Sequence, residues 1–237
     1  MEIIVPCAGR SSRFPGVRPK YLLTDYSGKM MVENAVKNYI GKFNITIIIL
    51  KEHDEEYGSK KKLLEAFGDN VKVVVLDNET SGPAETVYKG IVEAKIPDNS
   101  PVLVKDCDSF YDAKLENGNV IYIGKLSKHP RIRTVSAKSY TVTNNQGIIT
   151  TVVEKKIVSD NFCVGGYQFE SSKIFKDAFE NINTSGEIFI SHIIDYMINK
   201  NHIFIESEVE NFVDVGVLED WREYNNRPTY FLSLIHI

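Results

Sequence analysis

The sequence predicts a doubly wound α/β fold built on a mostly parallel sheet, and three observations carry that expectation. The first half alternates short runs rich in β-branched residues with longer stretches of spaced apolar positions. The run Ile45-Thr46-Ile47-Ile48-Ile49-Leu50 shows no sustained polar alternation, as suits a strand covered by helices on both faces. Four such strands separated by three helices supply the crossovers of a parallel sheet. The strands are Glu2 to Pro6, Asn44 to Leu50, Val71 to Leu76 and Pro101 to Val104. Between them, Met31 to Ile40, Asp54 to Phe67 and Pro83 to Lys95 read as helices by length and spacing. After about residue 115 the pattern changes to an added mixed-sheet half. There Val120 to Leu126, Arg133 to Val142 and Ile148 to Glu154 read as strands, the last two joined by a hairpin turn at Asn144-Asn145-Gln146-Gly147. Ser171 to Phe179, Glu187 to Asn199 and Val217 to Tyr224 read as helices. Residues 1–227 are expected to form a single domain. The residues from Pro228 to Ile237 are an apolar string without a partner pattern. They resemble the translation of a sequencing adapter and are set aside as a tail of doubtful origin.

The chain has 237 residues, with 28 Lys plus Arg against 32 Asp plus Glu and a formal net charge of -4. That balance argues against a broad nucleic-acid footprint, which requires a basic excess. A 43% hydrophobic and 25% charged composition excludes disorder and fibrous repeats and fits a soluble domain with a proper core. No stretch approaches the roughly 18 apolar residues of a membrane span, so no membrane insertion is expected. The first residues carry no basic region before their apolar run, which predicts a cytoplasmic protein. Cys7, Cys107 and Cys163 lack the close pairing that ligates zinc and are expected to be reduced thiols packed as small apolar groups.

Five segments carry chemistry. The first strand leads into Pro6-Cys7-Ala8-Gly9-Arg10-Ser11-Ser12-Arg13-Phe14, followed by Arg18-Pro19-Lys20. Small residues after a sheet strand let backbone N–H groups approach phosphate oxygens, and the cations supply balancing charge. The same residues would also serve as an ordinary first turn with exposed basic side chains. Neither the dinucleotide fingerprint nor the phosphate loop ending in Gly-Lys-Ser/Thr is present. Ser81-Gly82-Pro83-Ala84-Glu85-Thr86 opens a helix, and taken alone it is the start of one, with Pro83 in the first turn. Val104-Lys105-Asp106-Cys107-Asp108-Ser109-Phe110 closes the fourth strand, where open α/β sheets bind ligands. Its two carboxylates suit Mg²⁺, a hard cation that prefers oxygen, or simply a turn. Glu154-Lys155-Lys156 closes the strand after the hairpin, and Val164-Gly165-Gly166-Tyr167 follows, whose paired glycines could mark a bulge. Phe212-Val213-Asp214-Val215-Gly216 sets an Asp in an apolar strand, costly unless it is metal-bound or satisfied by nearby backbone. Glu219 and Asp220 charge the first turn of the closing helix.

Ala8-Gly9-x-Ser11-x-Arg13 with Pro19-Lys20 resembles the signature loop of the sugar-phosphate nucleotidyltransferases, which make sugar nucleotides and related activated head groups. The five segments match that family in order over residues 3 to 221. The resemblance implies a Rossmann-like nucleotidyltransferase fold. It assigns Arg13 and Lys20 to the β- and γ-phosphates as catalytic cations, and Ala8, Gly9, Ser11, Ser12, Gly82 and Ala84 to the nucleotide. It makes Asp108 and Asp214 ligands of Mg²⁺, with Asp106 as an alternative, and places Glu154, Lys155 and Gly166 at the acceptor. Three positions depart from the family pattern: Ser11 where a second Gly is usual, Lys156 where Pro is usual, and Phe212 where Trp is usual. The loop is closer to the cytidylyl and guanylyl relatives, so among CTP, UTP and dTTP it gives CTP the edge.

The implied reaction is attack by an acceptor phosphate, such as a sugar 1-phosphate or a similar head group, on the α-phosphorus of a nucleoside triphosphate. Pyrophosphate leaves. A phosphate with a second pKa near 6 is already largely anionic at pH 7 and needs no strong base, in keeping with the absence of His from every motif. The resemblance further implies synthesis of capsule or cell-envelope precursors, and an oligomer is possible. Two other readings use the same carboxylates. A metal-dependent glycosyltransferase would not need Arg13 with Pro19-Lys20, because its donor lacks a γ-phosphate. A non-catalytic sugar-nucleotide-binding subunit would have no use for Asp108, Asp214, Arg13 and Lys20 together.

Overall fold

The computed structural model describes residues 1–183 and 186–226, and the tail set aside above lies outside them. In chain order the strands are β1 (Glu2–Pro6), β2 (Asn44–Leu50), β3 (Val71–Leu76), β4 (Val102–Lys105), β5 (Ser109–Asp112), β6 (Asn119–Lys125), β7 (Ser139–Thr143), β8 (Ile149–Glu154), β9 (Asn161–Phe169), β10 (Phe204–Glu208) and β11 (Glu210–Asp214). The helices are α1 (Met31–Val36), α2 (Lys51–Tyr57), α3 (Ser59–Phe67), α4 (Pro83–Ala94), α5 (Ser172–Asn181), α6 (Ile190–Asn199) and α7 (Leu218–Asn225).

The first four strands form a parallel layer in the order β4-β1-β2-β3. Strand β9 extends it antiparallel beside β4, and β6 and β10 follow as a parallel pair. The β7–β8 hairpin leans on β9. The fold is thus mixed α/β with a mostly parallel centre, as the apolar runs predict. Alternation along β1 sends Ile3 and Val5 into a core shared with Met31, Leu63 and Trp221, and Ile4 into a second core with Val87, Ile91 and Ile193. Each side chain of this size taken out of water contributes about 1.5–3 kcal/mol, which is why these strands carry no polar face.

Several elements differ from the sequence expectation for local reasons. The helix expected over Asp54 to Phe67 begins earlier, at Lys51, and breaks at Gly58. There a left-handed φ of 63° lets the Gly58 N–H close on the Asp54 carbonyl. The strand expected over Arg133 to Val142 is a short 3₁₀ turn, Val135–Ala137, followed by β7. Strands β5 and β10 carry too few apolar residues to announce themselves. In β9 the register slips between Tyr122 and Ile123 of its partner, and Gly165 has φ 77°, so the paired glycines do form a bulge. All three cysteines are free and buried in the two cores.

A small second sheet matters most for the site. Strands β5 and β11 pair antiparallel with Asp214 opposite Ser109, and the Val215 N–H donates to the Asp108 carbonyl at 3.0 Å. Two acidic residues 106 positions apart are therefore fixed side by side by backbone alone.

Candidate active site

A cavity of about 720 Å³ opens at the carboxyl ends of β1 and β4, where loops from both halves of the chain meet. One wall is the loop after β1. Ser11 takes a left-handed φ of 52°, the conformation that makes glycine usual at this position, and its Oγ accepts from the Lys20 N–H at 3.1 Å. That bond draws Lys20 under the loop. Its Nζ lies 2.6 Å from Asp108 Oδ2, while Arg13 Nη2 lies 3.5 Å from the same oxygen. Burial alone would lower the Lys20 pKa and raise that of Asp108. The mutual charge outweighs burial for both, so the ammonium is raised and the carboxyl is held well below its usual range.

Asp214 mirrors this arrangement. Its Oδ2 accepts from Lys138 Nζ at 2.7 Å and Thr134 Oγ1 at 2.8 Å, and its Oδ1 from the Gly216 N–H at 3.0 Å. Three donors make a carboxylate tolerable at the end of an apolar strand. A Cβ built on Gly216 would lie 3.0 Å from Asp214 Oδ1, 3.4 Å from Arg13 Nη1 and 3.5 Å from Asp108 Oδ2. The two carboxylates and Arg13 therefore surround one point, and Gly216 leaves it open.

Asp106 stands apart. Its amide donates to the Gly165 carbonyl, and its side chain packs where a Cβ on Gly165 would fall. Burial and then the Asp108 charge push its carboxyl up to about 6. Among the described residues no three His, Cys, Asp or Glu side chains close into a metal cage, so Asp106 does not complete a group with Asp108 and Asp214. Beneath this turn lies Lys105, fully buried at the end of β4. Its Nζ donates to the Ser109 carbonyl at 2.6 Å, the Asp106 carbonyl at 2.8 Å and Ser109 Oγ at 3.0 Å, and sits 4.3 Å from the centre of the Tyr111 ring. Burial pushes its pKa down to about 8. Replacing it with Met strands three oxygens, so Lys105→Met is expected to destabilise the protein by about 1–3 kcal/mol in urea unfolding.

Comparison with known proteins agrees with this architecture. Residues 3–115 match the model of the MobA-like NTP transferase domain. No curated protein sequence matches the chain. Among solved structures, a nucleoside-diphosphate-sugar pyrophosphorylase from Vibrio cholerae RC9 superposes with a TM-score of 0.80 at 18% identity, over 95% of this chain and 100% of that one. The inositol-1-phosphate CTP transferase from T. maritima gives 0.73 at 15%, over 92% and 90%. An apo UDP-glucose pyrophosphorylase gives 0.70 at 17%, over 98% of each chain. At these identities the likeness is one of fold.

Within the matched residues, Ala8, Gly9, Ser11, Ser12, Arg13 and Lys20 line the cavity, and Arg18 turns away to Thr24. Gly82 also lines it, but Ala84 does not: it is fully buried against the second core, with its amide on the Ile188 carbonyl at 3.1 Å. Gly82 itself answers to that same contact. A Cβ there would lie 2.6 Å from the Ile188 oxygen and 2.8 Å from its nitrogen, and the φ is 153°. Gly82→Ala is expected to cost at least about 2 kcal/mol, read as a lower urea midpoint at unchanged slope.

Beyond the matched residues, Glu154 lines the far end of the cavity, held by hydrogen bonds from the hydroxyls of Ser139 and Ser191. Lys155 lies at its rim, half-exposed, with Nζ 3.9 Å from Glu187 and 4.0 Å from the Phe189 ring centre. Gly165, not Gly166, borders the cavity; a Cβ on Gly166 would strike the Tyr111 hydroxyl, because the bulge turns the two glycines to opposite sides. Glu219 and Asp220 do open α7, and Asp220 also pairs with Arg133. Sequence reasoning missed Lys138, Thr134 and Ser139, which lie in no motif. Lys105 had a signal, a lone cation in an apolar strand.

Proposed function

We propose that the protein transfers a nucleotidyl group from a nucleoside triphosphate to a phosphorylated acceptor. An acceptor phosphate oxygen bonds to the α-phosphorus as the bond from that phosphorus to the bridging oxygen breaks, and pyrophosphate leaves with the electron pair. The observation that carries this reading is the convergence of Asp108 and Asp214 beside Arg13, at the seam between the signature loop and the β7–β8 hairpin. Such a reaction needs suppression of repulsion between two polyanions and in-line alignment, more than proton transfer. Among the described residues no histidine lines the cavity.

The residues fit Mg²⁺. Asp108 and Asp214 offer hard oxygens around a shared point, and the ammoniums of Lys20 and Lys138 pair with the same two carboxylates, Lys138 through the other oxygen of Asp214, where positive charge is already favoured. With two carboxylates the ion would keep water and phosphate oxygens as its other ligands. When bound it would neutralise charge at the α-phosphate. Arg13 and Lys20 then serve the departing pyrophosphate, the loop from Ala8 to Ser12 the phosphates, and Gly82 the base side. Glu154 faces the acceptor. CTP leads UTP and dTTP as the donor, on the loop variant and on the likeness to the inositol-1-phosphate CTP transferase from T. maritima. Sugar 1-phosphates or similar head groups are the acceptors, and the product feeds capsule or envelope synthesis in the cytoplasm. Among the described residues no helix is long and apolar enough to cross a membrane.

The test is pyrophosphate release from each of CTP, UTP and dTTP with Mg²⁺ against glucose 1-phosphate, inositol 1-phosphate and choline phosphate. Release that depends on both substrates is the expected result. Tight nucleotide binding with no release from any pair would refute the reading, and transfer of sugar from a nucleotide sugar would replace it with glycosyl transfer.

A further inference from the structure

We infer that Lys138, on the far wall of the cavity, is a catalytic residue that holds the acceptor's phosphate at the α-phosphorus; this rests on the nucleotidyl transfer proposed above. Lys138 immediately precedes β7, whose first residue, Ser139, pairs with Glu154 and hydrogen-bonds its carboxylate, so its backbone belongs to the acceptor wall. The Lys155 N–H donates to the Lys138 carbonyl at 3.0 Å, which fixes the two lysines side by side just outside the paired ends of β7 and β8. Their side chains part company. That of Lys155 is half-exposed and turns to Glu187 and Phe189 at the rim. That of Lys138 is only 15% exposed, lines the cavity, and ends 2.7 Å from Asp214, within the group that also holds Asp108, Arg13 and Lys20. Its ammonium therefore reaches from the acceptor wall to the place where both polyanions must meet.

The electrostatics agree. Arg13 and Lys20 line the wall formed by the loop after β1, and in the proposed reaction they serve the triphosphate. A second phosphate approaching from the other wall needs its own cation, and a point charge on a flexible stem, swinging a short way from Asp214 to a phosphate oxygen, meets that need. Lys155 at the rim is too far toward Phe189 for the same task and is better placed against the body of the acceptor.

The test uses the full chain carrying Lys138→Met, Lys138→Gln, Lys138→Arg or Lys155→Met. Pyrophosphate release is measured while the best of glucose 1-phosphate, inositol 1-phosphate and choline phosphate is varied at saturating triphosphate, and then the reverse. Lys138→Met is expected to raise the acceptor KM about 10- to 100-fold and leave the triphosphate KM nearly in place. Lys138→Gln, which keeps a donor for Asp214, reads the same way if the Met variant does not fold, and Lys138→Arg recovers most of the loss. A rise in the triphosphate KM instead, or an acceptor KM that moves in Lys155→Met and not at position 138, overturns the assignment. A wild-type protein that turns over while Lys138→Gln matches it defeats this inference alone; a wild-type protein inert with every pair defeats the proposed reaction and this inference with it.

Discussion

Asp108→Asn is expected to slow turnover at least about 100-fold while leaving the fold in place, because losing one electrostatic contact at a developing charge typically costs 10²- to 10³-fold in rate. The structure separates the two effects. What holds the turn are backbone and lysine contacts: the Val215 N–H on the Asp108 carbonyl, the β5–β11 pairing, and Lys105 on Ser109 and Asp106. None of them uses the Asp108 carboxylate. What the substitution removes is the charge that faces Lys20 at 2.6 Å and Arg13 at 3.5 Å. If Asp108 shares a cation with Asp214, the Mg²⁺ concentration giving half-maximal rate should also rise. Turnover close to wild type, at an unchanged Mg²⁺ requirement, would remove Asp108 from its role.

The parallel half was legible because its cause is local and strong. The β-branched runs of β1, β2 and β3 have no polar face to present, so they match the expected bounds residue for residue. Boundaries failed where a single residue decided them, as Gly58 does between α2 and α3. The carboxylates Asp108 and Asp214 could be named from ordered motifs, but their adjacency is a product of the pairing of β11 with β5, a four-residue strand too short to announce itself. Lys138 was invisible for a different reason. A lysine before a strand has no pattern of its own, and its meaning comes only from Asp214 across the cavity. The glycines show the converse. Gly82, which lines the cavity, is also constrained by the Ile188 backbone, a contact no sequence pattern shows, and Gly166 yields its place to Gly165 because a bulge cannot be phased from a pair of identical letters.

Lys20→Met should match Asp108→Asn in its effect on turnover, about 10²- to 10³-fold, yet differ from it in acid. Wild-type Asp108 is buried, and its carboxyl is nevertheless held below the usual range by Lys20 first and Arg13 second. A depressed carboxyl contributes stability that is present above its unfolded pKa, about 4, and lost as pH falls toward the folded value. Removing Lys20 leaves burial opposed mainly by Arg13, whose Nη2 is 3.5 Å away on a half-exposed side chain. The folded pKa then moves up, the stabilising contribution above pH 4 shrinks, and unfolding in acid should begin at higher pH than in the wild type. Asp108→Asn has no carboxyl at this position to titrate, so its acid limb should be flatter than that of either protein. Tryptophan fluorescence of Trp221, buried in the core that β11 and α7 share, reads both curves. Acid midpoints for Lys20→Met at or below the wild-type value would mean that the ion pair does not govern Asp108, and the electrostatic account of the cradle would fall with it.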